Sequence, residues 1–145
     1  MMKATARNWI IQANIGLLSE QELIQRADDY ISQHDTSPDW MIAIAAKESL
    51  RGIEQLDLIL TPITDADAVI IAGEMLALLN SDQRDIQQIA AASQQLYRQL
   101  DWGSDIFNQF IWISDELALI ELGVKSAEGY QDKVIEALNN VICHK

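Results

Sequence analysis

The side chains from which this 145-residue chain could build chemistry are two histidines, one cysteine and 22 carboxylates. His34 and His144 are too few for the multi-histidine sites of zinc or di-iron bundles, and neither HExxH nor a pair of ExxH motifs occurs. His34-Asp35 has the form of a metal-dependent phosphohydrolase dipeptide, but that chemistry needs further histidines, so the pair reads as a solvated helix end. Cys143-His144 falls at the end of the sequence, where neither side chain is expected to be held in the geometry a nucleophile requires. Glycine-rich phosphate loops, G-x-S-x-G and dinucleotide-binding fingerprints are absent.

The carboxylates do not assemble a metal site by spacing. Helical nucleotide pyrophosphatases hold magnesium with ExxE and ExxD motifs on facing helices, a pairing this chain lacks. Asp28-Asp29 and Asp115-Glu116 are adjacent, and neighbours on a helix point about 100° apart, so neither pair chelates by itself. Glu74 stands out because the segment around it is otherwise apolar, and a rim position or a hydrogen-bonded structural role is the expectation for it. No catalytic residue, metal or cofactor is expected, and a carboxylate-metal hydrolase built on Glu74 is the weakest of the functional readings.

What the carboxylates do show is segregation. No lysine or arginine lies between Arg51 and Arg84 or between Arg98 and Lys125. Those windows hold eleven acids: Glu54, Asp57, Asp65, Asp67, Glu74 and Asp82, then Asp101, Asp105, Asp115, Glu116 and Glu121. The other eleven acids face all ten bases, so nearly all of the net charge of −12 resides in the two windows. Nucleic acid is excluded as a partner because phosphate binding needs clustered Lys and Arg, and an anionic membrane is disfavoured on the same ground. A basic protein surface is the partner this charge fits, although solubility alone also uses acidic surfaces.

The second window contains aromatic residues as well. At 100° per residue, Phe107, Phe110, Leu117 and Ala118 gather on one side of a helix over 105–122. Trp112 falls on the other side, among Asp105, Asn108, Gln109, Asp115 and Glu116, just after Asp101-Trp102. A tryptophan among carboxylates has the composition of an interface anchor; packing beneath another helix is the competing reading. The candidate partner-binding residues are Asp101, Trp102, Asp105, Asn108, Trp112, Asp115 and Glu116, with Asp57, Asp65 and Asp67 as a possible extension.

The elements that must carry these residues are all helical. Apolar residues recur at three and four, and alternating β-branched runs are absent. A first helix is expected over 4–15, ended or bent by Gly16; Ser19 and Glu22 form a capping box for a second with Leu23, Ile24, Ala27, Tyr30 and Ile31 on one face. Ser37-Pro38-Asp39 opens a third through Trp40, Met41, Ile44 and Ala45, and 53–60 a short fourth before Pro62. Thr64 or Asp65 caps a helix that is apolar nearly all round over 68–79 and is expected to be central. Helices over 83–100 and 105–122 follow, and Ser126 is expected to cap a final helix carrying Tyr130, Val134, Leu138, Val141 and Ile142. Trp9 and Trp40 align with apolar stripes and are assigned to the core. The prediction is an all-α, single-domain (1–145) antiparallel bundle of six to eight helices with short connections.

Composition agrees with a folded protein: 49% of residues are hydrophobic, with six Gly and two Pro. A single cysteine precludes an internal disulfide and favours a reducing compartment. The opening residues do not read as a secretory signal and 66–79 is too short to span a bilayer, so a cytoplasmic protein is expected.

Trp9, Gly16, Ser19, Glu22, Ala27-Asp28, Ile31, Pro38 and Trp40 are spaced so that residues 9 to about 50 resemble the opening of small all-helical bacterial immunity proteins, which neutralise polymorphic or contact-dependent toxins. The resemblance implies a cytosolic antitoxin that binds one cognate toxin domain stoichiometrically and blocks its active site, with no catalytic residues of its own. Acidity suits a basic, nuclease-like toxin, since carboxylates can occupy a phosphate path. An acidic helical adaptor or regulatory subunit that binds a host protein is the alternative with the same physics.

Overall fold

Six α-helices and no strand form among the residues that the computed structural model describes, which are 2–37, 41–42, 63–100 and 106–143, with side chains from Arg7 onward. They are α1 (Met2–Asn14), α2 (Glu20–Gln33), α3 (Asp65–Asn80), α4 (Ile86–Tyr97), α5 (Phe107–Glu121) and α6 (Tyr130–Ile142). The third and fourth helices expected from the sequence lie outside the described residues, apart from Met41 and Ile42, which are helical. No described helix is long and apolar enough to cross a membrane. Contacts divide the chain into two compact units, one of Met1–Asn14 with Leu18–Thr61 and one of Ile15–Leu17 with Pro62–Lys145.

In the first unit, α1 ends where the Leu18 amide donates to the Gln12 carbonyl at 3.1 Å. The capping box is formed as expected: the Glu22 amide donates to Ser19 Oγ at 3.2 Å, and the Ser19 amide to Glu22 Oε1 at 3.1 Å. Ile10, Leu18, Leu23, Ala27 and Met41 make the core, with Trp9, Ala13, Ile24, Tyr30 and Ile31 packed against it. His34 ends α2 with its ring stacked on Tyr30 at 3.8 Å and Nδ1 2.8 Å from the Tyr30 carbonyl, so it closes the helix end.

Gln12 is fully buried. Its Nε2 donates to Asn8 Oδ1 at 3.1 Å, while Oε1 has no hydrogen-bond partner among the described residues. A buried, half-satisfied amide forfeits about 1–3 kcal/mol of hydration for its orphan oxygen, which offsets the one bond it makes. Gln12→Leu should therefore leave the Tm unchanged or higher, whereas Gln12→Glu, which puts a carboxylate in place of a fully buried amide, should cost about 3 kcal/mol or more in denaturant unfolding.

The second unit holds α3 to α6, and each helix packs on its neighbours in sequence while α3 closes on α6. Thr64 and Asp67 cap α3 reciprocally, as Asp85 and Gln88 cap α4, which is why α4 starts at Ile86 rather than at 83. The last helix also begins later than expected. Ser126 accepts the Glu128 amide within a turn, and α6 starts only after Gly129, at φ +74°. Met75, Ile71, Ile89, Leu96, Phe110, Ile113 and Leu138 fill the core. The apolar helix α3 is not enclosed on all sides: Ile70 is 49% exposed, because α4 and α6 cover only part of its circumference.

Candidate functional site

Helix α5 is packed from two directions, and that decides where Trp112 lies. Phe107 meets Tyr97 of α4 edge to face at 5.8 Å, and Ser114, Leu117, Ala118 and Glu121 also face α4. Phe110 and Ile113 are fully buried between these neighbours. Gln109 and Trp112 line the side turned towards α6, and Glu116, one turn further on the same ridge, is near enough to Tyr130 for its charge to act on the phenol. The helical wheel places Trp112 on a polar face, but a helix with two partners has two covered faces. Trp112 is half-buried, its ring 6.1 Å from that of Tyr130 and tilted by 34°.

Beside Trp112, an open depression of about 300 Å³ runs between α5 and α6, lined by Gln109, Trp112, Lys133, Glu136, Ala137 and Asn140. The indole thus lies against the Tyr130 ring and also lines an accessible surface of amides and opposite charges. Asn108 and Asp115 are exposed on α5, one turn to either side of Trp112. Glu116 is half-buried and accepts from Lys125 Nζ at 2.6 Å, so its charge is matched within the molecule. Asp101, Trp102, Asp105 and Asp57 lie outside the described residues. Asp65 is exposed in the first turn of α3, and Asp67 is committed to the cap of that helix, accepting from the Thr64 amide at 2.8 Å and its hydroxyl at 2.9 Å.

The turn from α5 to α6 is closely organised. The Val124 amide donates to the Leu119 carbonyl at 3.0 Å and the Gly123 amide to the Ile120 carbonyl at 3.0 Å, the two bonds of a Schellman closure, with Gly123 at φ +77°. Lys125 is held by Glu116, and the Glu128 amide donates to Ser126 Oγ. Leu122 and Val124 nevertheless stand 77% and 68% exposed.

None of this geometry pairs a nucleophile with a base. No group of three or more His, Cys, Asp or Glu that could hold a metal occurs among the described residues. The arrangement offers contact surface: an aromatic ring, amide groups, charges and two exposed aliphatic side chains. Lys133, Glu136 and Asn140 were not anticipated as part of it. They share a face of α6 at spacings of three and four, but only the pairing of α6 with α5 brings that face to Trp112. No family model, curated protein or solved structure matches the chain.

Tyr130 fixes this surface from below. Its buried hydroxyl donates to the Ile113 carbonyl. Burial, and then the charges of Glu116 and Glu121, push its phenol well above the usual tyrosine range. In the unfolded chain the phenol ionises near pH 10.0, so the stability it contributes is complete below about pH 10 and lost as pH rises beyond, by about 1.4 kcal/mol per pH unit. Alkaline denaturation followed by circular dichroism should show this slope. Tyr130→Phe should flatten it and lower stability at neutral pH by about 1 kcal/mol.

Proposed function

We propose that this protein acts by stoichiometric binding of a basic protein, as an immunity protein that occupies the active site of a cognate, nuclease-like toxin domain in the bacterial cytoplasm. The observation that carries the reading is the segregation of eleven acids into two windows without a base. Of the seven described acids in those windows, Asp65, Asp82, Asp115 and Glu121 are exposed, and Asp67, Glu74 and Glu116 are half-buried. A surface of this kind attracts a cationic partner over a distance of about 8–10 Å at physiological salt and accelerates encounter. The likeness of residues 9 to about 50 to immunity proteins supplies the toxin as the particular partner.

Tagged protein incubated with an extract of its own organism should retain one basic partner in equimolar amount at low salt, identified by mass spectrometry. With that partner purified, Asp115→Lys together with Glu121→Lys should slow association about tenfold or more at low salt, with little change in Tm, and the deficit should shrink as salt is raised. Retention of nothing at low salt, or an association rate indifferent to salt and to both reversals, would defeat the reading.

A further inference from the structure

We infer that the partner is anchored by the turn between α5 and α6, with Leu122 and Val124 inserting into an apolar pocket that basic residues rim; this rests on the binding role proposed above. Solvent-exposed aliphatic side chains on a loose loop would mean little. Here the turn is fixed at three points: the Schellman bonds of Gly123 and Val124, the 2.6 Å pair of Lys125 with Glu116, and the Ser126–Glu128 turn that leads into Gly129. Two side chains, 77% and 68% exposed, are thereby held in a defined direction before any partner arrives. An anchor of that kind loses little conformational entropy on binding.

The surroundings define the chemistry of the pocket. The negative end of the α5 dipole and the positive end of the α6 dipole meet at this turn, so side chains decide its field: Glu121 is the last residue of α5, and no basic residue lies in that last turn. Glu128 is exposed in the turn and Asp132 in the first turn of α6, where the exposed Lys133 beside them offsets only part of the acidic charge. Lys125, the one base of the turn, is engaged by Glu116. An aliphatic tip within such a negative field complements an apolar cavity bordered by Lys and Arg. Trp112, Glu116 and Leu119 follow one another along α5 at spacings of four and three towards the turn.

The test places a benzophenone amino acid in the full-length protein at Leu122, Val124, Asp115 or, as a control on α3, Ile70, and irradiates each in its own cells. Adducts at Leu122, Val124 and Asp115 but not Ile70, to a single basic protein, are expected. Leu122→Ser with Val124→Ser should then weaken the purified partner about tenfold or more while leaving the Tm in place. Adducts at Asp115 alone, with the double variant within twofold of wild type, would overturn the anchor and leave the binding role standing. Adducts confined to Ile70 would move the surface to α3 and overturn the anchor as well. No adduct at any position, or only to acidic proteins, would overturn both.

Discussion

The second unit depends on one constraint: α5 must satisfy α4 and α6 at the same time. Such a helix cannot be amphipathic in the simple sense, because its two covered sides leave only a narrow strip for water. The chain resolves this by making the two sides chemically different. Towards α4 it presents Phe107, Leu117 and small Ser114 and Ala118; towards α6 it presents the large indole of Trp112 between Gln109 and Glu116. The Tyr130 hydroxyl then binds the Ile113 carbonyl, so the start of α6 is tied to the middle of α5 by a directional contact that apolar packing alone would not supply.

The same constraint bears on charge. A net charge of −12 on 145 residues repels itself, and acids are tolerated where a local positive field receives them. Glu22 and Asp67 accept backbone N–H groups at the starts of α2 and α3, and Asp85 does so before α4. Glu121 has no such reason to be where it is. It sits at the carbonyl end of α5, where a carboxylate opposes the dipole and raises the electrostatic cost of the Tyr130 phenolate nearby. An acid placed against its own helix end contributes nothing evident to folding, and this separates the negative charge around the α5–α6 turn from the acids that serve as caps.

The sequence makes most of the second unit's elements legible and little of its surface. Capping residues mark α2 and α3, because cap chemistry is confined to four consecutive residues, whereas the apolar period places the start of α4 at 83 and the Asp85–Gln88 cap moves it to Ile86. The start of α6 misleads, since Ser126 has the right side chain for a cap but uses it inside the preceding turn, and the entry residue is Gly129, whose left-handed backbone requires no signature beyond glycine itself. Trp112 shows a second limit. A helical wheel assumes one buried face, and the residue that decides whether Trp112 is exposed, Tyr130, is 18 residues further on in a different helix. Lys133, Glu136 and Asn140 are invisible as neighbours of Trp112 for the same reason.

Leu122 and Val124 present the opposite case, for the exposure of Val124 departs from what the local closure favours. A Schellman closure commonly sets the residue after the left-handed glycine against the helix three residues before its end, as if Val124 should cover Leu119. Here the backbone bonds of that closure are made while Val124 remains mostly in solvent. The turn therefore owes its shape to hydrogen bonds and to the Lys125–Glu116 pair and not to burial of its apolar side chains. Rigidity and exposure, which usually exclude one another in a loop, coexist because the groups that confer the one are distinct from the groups that display the other. A surface built in this way can hold aliphatic side chains in a fixed direction without drawing on the core behind it.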